Sequence, residues 1–198
     1  ENLLLSGNLS VTSDSAIALG NLTADAVLTL SSNKDVSSAE LTLSDSAELS
    51  LGTANITAYV TNPVIVDSTQ KLKNGGGSFD FAGGITLKSG SELVGQGQEI
   101  SGNISLSGGK LSIAQDTIFA DNLAISAGST INIDALKTLT YDGATVGIGA
   151  AVLKIQGGGT FINTESTELK LNSANSNLVL DNVTVAYVSV SAASNSNK

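Results

Sequence analysis

The stretch from Ser38 to Leu87 is echoed without a gap 82 positions later, from Ala120 to Leu169. Leu41 and Leu43 fall on Leu123 and Ile125, Leu49 and Leu51 on Ile131 and Ile133, and Val64 and Val66 on Val146 and Ile148. Tyr59 falls on Tyr141, Phe79 on Phe161, and the triplet Gly75, Gly76, Gly77 on Gly157, Gly158, Gly159. Apolar positions are kept while the polar ones between them have drifted. Stacked units diverge in this way, because each must go on burying the same face against its neighbours.

A shorter period runs inside the long one. Gly or Asp, then Asn, then an aliphatic residue recurs at Gly7-Asn8-Leu9, Gly20-Asn21-Leu22, Gly102-Asn103-Ile104, Asp121-Asn122-Leu123 and Asp181-Asn182-Val183. Asn103 to Asn122 is 19 residues, Asn122 to Asn182 is 60 and Asn21 to Asn103 is 82, close to multiples of about 20. The 13-residue step from Asn8 to Asn21 marks an irregular first coil. Short runs such as LTL at 41–43, LSL at 49–51, ISL at 104–106, INI at 131–133 and VTV at 183–185 alternate apolar with polar, so one face of each enters a core. Small polar and Gly residues between them, as in KSGSE at 88–92 and SAGST at 126–130, suit tight turns. No window repeats its apolar residues at helical spacing. The pattern therefore predicts an all-β solenoid of about ten coils of roughly 20 residues, on the order of 45 Å long at about 4.8 Å between strands. One coil buries too little apolar surface to offset the entropy of ordering it, so neighbours must share backbone hydrogen bonds and apolar columns.

Composition narrows the setting. The chain has no Cys, Met, Trp or His, and Lys supplies every basic side chain. Cysteine is thus silent about the redox compartment. A formal net charge of -9 with scattered lysines argues against nucleic acid and anionic membrane as partners, both of which need basic patches, and suits a soluble Ser/Asn-rich surface. No run reaches the length of a membrane span, and residues 1–20 have no basic segment followed by a signal-peptide core. Because the chain opens on Leu3-Leu4-Leu5, it reads as a processed or excised piece of something longer. The period runs through without a linker, predicting one solenoid domain over 1–191 and a polar tail over 192–198. The single proline, Pro63, suits a turn entering a strand.

KNGGGSFDF, Lys73 to Phe81, resembles the passenger-associated transport repeat of bacterial autotransporter passengers: a Lys, a Gly-x-Gly step, a hydroxyl residue and two alternating apolar residues. ITLKSGSELVGQG, Ile85 to Gly97, resembles the continuation of that repeat. The second copy, Lys154 to Asn163, departs from it, with its Lys one place early and Asn163 at the second apolar position. The resemblance covers about a third of the chain. It implies a single-stranded right-handed parallel β-helix exported to the bacterial cell surface, serving adhesion, aggregation or display, and it implies no catalytic residue.

Each motif has a structural and a functional interpretation. The Gly triplets suit a corner needing positive φ, or an anion cradle, although no GK[ST] or helix follows them. Asn8, Asn21, Asn55, Asn103 and Asn182 lie in N-x-S/T, either as glycan acceptors or as turn asparagines that bond amide to amide between coils. Tyr59 and Tyr141 are packing or rim residues, or a platform for sugars. For catalysis there is no His base, Cys nucleophile or Arg clamp, which leaves carboxylate pairs one coil apart, Asp116 with Asp134 or Asp121 with Asp142. Calcium-repeat and EF-hand spacings are absent, and the TLT at 138–140 is not repeated at coil spacing as an ice-binding lattice requires.

The expected function is therefore a non-catalytic extracellular adhesin or passenger stalk, with no cofactor and no metal. Its partner would be a protein or glycan receptor on a host or neighbouring cell. The alternative is a self-associating structural component of a surface layer or filament, using its open end strands. A polysaccharide-acting enzyme is a distant third.

Overall fold

The structure, a computed structural model, describes residues 3–5, 9–11, 15–24, 27–30, 35–43, 47–51, 56–164 and 168–192. These residues form an all-β parallel solenoid of about seven turns with no helix. Three sheets, of ten, seven and nine strands, run side by side, and each strand pairs in parallel with the one a turn later. A full turn visits them in that order: Thr57–Val60, Val64–Val66 and Lys71–Lys73, before Ser78–Phe81 returns to the first sheet. Earlier turns lack the first corner. Val36–Leu43 is one eight-residue strand that pairs Val36, Ser37 and Ser38 with Ala58, Tyr59 and Val60 while also touching Val64–Val66. The break that splits this face comes at Thr61-Asn62-Pro63, where Pro63 has no N–H to give a ladder. The last described strand, Ser189–Ala192, includes Ala192; the rest of the expected tail, 193–198, lies outside the described residues.

The 82-residue echo is four turns of the rod. In the nine-stranded sheet Leu49 stacks on Leu72, then Leu93, Leu111 and Ile131. In the seven-stranded sheet Val64 leads through Ile85, Ile104 and Leu123 to Val146, and Val66 through Leu87, Leu106 and Ile125 to Ile148. Each column ends 82 positions from its start. All of these side chains are buried, Leu49 at 2% exposure and Ile131 at 0%. The rod's single core is this bundle of columns, and coil length varies around it: Leu93 pairs with Leu111, 18 residues on, and Leu153 with Leu178, 25 on.

The ten-stranded sheet departs from the echo by one residue. There the column runs Ala58, Phe79, Ile100, Phe119, Tyr141, a span of 83. From Leu49 to Ala58 is nine residues, whereas from Ile131 to Tyr141 is ten. The extra residue lies in the corner Asp134 to Lys137, where Leu136 has φ 64 and is 95% exposed, and Lys137 N–H donates to Asp134 O at 3.0 Å. The next corner restores register, being six residues from Ala58 to Val64 and five from Tyr141 to Val146. Aromatic bulk gathers behind this sheet. Phe79, Phe81, Phe119 and Phe161 are all buried, with Phe79 and Phe81 stacked at 5.1 Å and Tyr141 and Phe161 at 6.1 Å.

Buried polar side chains close the corners. Asn74, fully buried, donates its amide to Gly97 O and accepts from Gln96 N–H at 2.6 Å. Gln70 donates to Leu43 O at 2.8 Å and accepts from Asp67 N–H at 2.8 Å. Thr117 donates to Gln115 O at 2.9 Å and accepts from Gly97 N–H at 3.3 Å. Each supplies a partner to corner backbone that the ladders leave out, since an unpaired buried N–H or C=O costs about as much as a lost hydrogen bond.

The Gly triplets turn corners, with the first member at positive φ in both copies: 53 at Gly75 and 116 at Gly157. A Cβ at Gly157 would lie 2.4 Å from Ile133 O, against the coil below. Gly157→Ala is therefore expected to cost about 2–4 kcal/mol, from a forbidden φ plus backbone overlap. Gly128→Ala, where a Cβ meets nothing within 4 Å, should be neutral or slightly stabilising. Urea titration of both variants by circular dichroism tests this; equal midpoints would remove the argument.

Candidate functional surface

Outward residues alternate with the core columns, so each sheet presents its own chemistry. On the nine-stranded sheet Glu48, Lys71, Glu92 and Lys110 form one column. Lys71 Nζ lies 3.2 Å and Lys110 Nζ 3.0 Å from the Glu92 carboxylate, Ser112 Oγ donates to it at 2.6 Å, and Lys73 reaches Glu48 at 2.8 Å. Burial pushes the Glu92 carboxyl up, but the hydrogen bonds from Ser112, Lys110 and Lys71 outweigh it and bring it down to about 2. The other described lysines are engaged as well: Lys88 with Asp67, Lys154 with Asp181, Lys170 with Glu168, and Lys137 with Gln115.

On the seven-stranded sheet the outward column Ile65, Thr86, Ser105, Ala124, Gly147 carries short side chains beyond its first member. It leaves a shallow groove of about 400 Å³ along the corner, rimmed by Pro63, Asn103 and Asn122. Asn122 Nδ2 donates to Asn103 Oδ1 at 3.4 Å, an amide-to-amide contact between coils of the kind the turn-asparagine interpretation expects. Asn103 and Asn182 are exposed, and Asn182 adopts φ 52. Asn8 and Asn55 lie outside the described residues, as does the side chain of Asn21.

On the ten-stranded sheet the two tyrosines matched by the long repeat face opposite ways. Tyr59 points outward and is 43% exposed, whereas Tyr141 is fully buried, the consequence of the one-residue slip. Tyr141 Oη donates to Thr145 O at 2.7 Å and accepts from Leu123 N–H at 3.1 Å, and burial pushes its phenol up to about 12. It is a corner plug. Tyr59 instead overhangs an open cleft of about 230 Å³ lined by Thr57, Ser78, Asp80, Glu99 and Ser101. The repeat pointed to Tyr59, but nothing in it singled out Asp80 or Glu99. Their one sequence signal is that alternation places Asp80 outward between Phe79 and Phe81.

The carboxylate pairs named from spacing sit on corners of successive turns, where one member of each pair accepts from backbone and the other from a side chain. Asp116 Oδ1 accepts from Thr138 N–H at 2.8 Å and Asp121 Oδ2 from Gly102 N–H at 2.7 Å. Asp142 accepts from the Thr164 hydroxyl, and Asp134 from Asn132 Nδ2 at 3.0 Å. Asp35 repeats the first pattern, accepting from Thr57 N–H at 2.9 Å. Among the described residues no group of three or more acidic side chains is placed to hold a metal ion, and no helix is long and apolar enough to cross a membrane. Compared with protein-family models, with curated proteins and with solved structures, the chain matches none of them.

Two outcomes follow from these contacts. Below about pH 4.5 the unfolded chain protonates Glu92, while the folded rod resists until about pH 2. The stability that this cluster adds is therefore complete above pH 4.5 and lost as pH falls from there toward 2. Screening by solvent at the half-exposed lysines holds it to about 1–2 kcal/mol, and Glu92→Gln should flatten that limb of the stability-versus-pH curve. Tyr141→Phe strands a buried N–H and carbonyl and should cost about 1–3 kcal/mol in urea unfolding; an unchanged midpoint would mean that water replaces the hydroxyl.

Proposed function

We propose that this chain is a non-catalytic stalk or adhesive segment of an extracellular bacterial surface protein, of the autotransporter-passenger kind that KNGGGSFDF resembles. In this reading the rod is right-handed, as parallel strand–crossover–strand connections nearly always are, and winds about ten coils if each strand of the ten-stranded sheet is counted as one, of which seven also place a strand in the seven-stranded sheet. One observation carries the reading. The charged side chains of Asp35, Glu48, Asp67, Glu92, Asp116, Asp121, Asp134, Asp142, Glu168 and Asp181, with all seven described lysines, are spent on contacts within or between coils. These groups brace the rod, and among the described residues only Glu40, Asp80 and Glu99 keep carboxylates outside that bracing. Recognition by its side faces is shallow, and adhesion gains strength from many copies on a cell.

A second reading, self-assembly into a layer or filament, is favoured by the last described coil. Leu178 and Leu180 continue the inward columns of Leu153 and Ile155, and Val190 that of Leu169, yet Leu180 is 50% and Val190 56% exposed. A further coil stacked there, whether of the same chain or of another copy, would cover them.

Beads coated with the protein, mixed with host or neighbouring cells, distinguish the readings when paired with sedimentation velocity. Saturable bead binding, competed by soluble protein that sediments as a monomer, is the expected result. Concentration-dependent polymers without bead binding would transfer the case to assembly, and sugar released from a polysaccharide panel would overturn the non-catalytic assignment.

A further inference from the structure

Among the described residues, three carboxylates take no part in any ion pair or side-chain hydrogen bond: Glu40, Asp80 and Glu99. Two of them share the cleft beneath Tyr59. The register sets the layout. Tyr59, Asp80 and Ser101 form one outward column, and Thr57, Ser78 and Glu99 form the column beside it, on three successive turns. Neighbouring turns are about 4.8 Å apart, so an aromatic ring and two carboxylates fall within the reach of one extended side chain. The hydroxyls around them are tied back to the sheet: Ser78 Oγ accepts from Glu99 N–H at 3.4 Å and Ser101 Oγ donates to Phe79 O at 3.4 Å. None of the described lysines reaches the cleft, each being held by another partner.

We propose that this face of the ten-stranded sheet is a docking site for a basic segment of a partner polypeptide, with an arginine or lysine side chain laid across Tyr59 and its cation between Asp80 and Glu99. The proposal rests on the adhesin reading and names its partner's chemistry. Charge complementarity selects the occupant. Two adjacent carboxylates without a counter-ion among the described residues, on a chain of net charge -9, repel an acidic sugar or a nucleic acid and attract a cation, and an exposed tyrosine face adds attraction to that same cation. The cleft is shallow, which suits a side chain arriving from outside.

The test titrates the full chain with a fluorescent hexa-arginine peptide, its neutral citrulline counterpart and a neutral oligosaccharide, by anisotropy at low and high salt. Asp80→Asn with Glu99→Gln should weaken hexa-arginine binding about tenfold at low salt. Tyr59→Ala should weaken it about threefold to fivefold, and citrulline should not bind. A second double variant, Asp67→Asn with Glu168→Gln, removes the same charge elsewhere and should leave affinity within about twofold, since binding at the cleft is local. If that control weakens binding as much as the cleft variant does, or if the oligosaccharide binds through Tyr59 and the peptide does not, the proposal is overturned. Bead adhesion measured alongside keeps two failures apart. Wild-type adhesion that survives the cleft variant sinks this site and spares the adhesin reading, whereas peptide binding at the cleft without wild-type adhesion does the reverse.

Discussion

Parallel backbone pairing between successive turns is what this rod depends on, because it fixes register, and register decides which side chains are wet. In a strand a slip of one residue exchanges the buried and exposed sets completely. The columns from Leu49 to Ile131 and from Val64 to Val146 hold their faces over four turns although individual coils differ in length. Most of the variation falls in the corners, where a residue can be added without disturbing the ladders; the strands themselves take an extra residue only near their ends, at Ala114 and Ser126. The corner at Leu136 takes one extra residue and the corner after Tyr141 gives it back.

The corners are consequently the demanding part of the design. A strand in mid-sheet has its N–H and C=O met by the turns above and below, but a corner bends backbone out of that pattern and buries some of it. Asn74, Gln70, Thr117 and Tyr141 are the answer, each bringing at least one donor and one acceptor to a place that water does not reach. Exposed corners use carboxylates for the same purpose: Asp35 and Asp116 each accept from a backbone N–H of the next turn, and Asp121 from the turn before.

What could be read from residue order follows from this division. Period-two alternation and the 82-residue echo were legible because burying an aliphatic column constrains every turn alike, so Leu49 and Ile131 fall where the pattern puts them. The match of Tyr59 with Tyr141 misled because sequence alignment counts residues while the sheet counts rungs, and a compensated slip leaves no gap to notice. The functions of Asp116, Asp121 and Asp142 were hidden for a related reason. Spacing of about one coil brings two carboxylates near each other, but it does not tell whether each faces the other, reaches to backbone as Asp116 and Asp121 do, or meets a side-chain donor as Asp142 does. The cleft at Asp80 and Glu99 was illegible because its defining property, carboxylates without partners among the described residues, emerges only when each described lysine has been assigned one.

A rod held together by its inward columns and its corners leaves its outward strand positions nearly free to change. An outward substitution costs little unless it breaks a ladder such as Glu48–Lys71–Glu92–Lys110, which explains why the polar positions of the two echoed copies have drifted while the apolar ones have not. That freedom suits the surface role proposed above. Binding chemistry can appear on one stretch of one sheet, as proposed at Tyr59, without any cost to the core behind it. The ten-stranded sheet is well placed for it: Phe79 and Phe81, which flank Asp80, and Ile100, which follows Glu99, are buried, anchor the strands from inside and hold the outward groups on a firm backing. A flat backing also limits what such a site achieves, since few groups converge on any ligand. In the adhesin proposed above, affinity at each cleft would then be modest, and retention at a surface would come from the number of rods engaged at once.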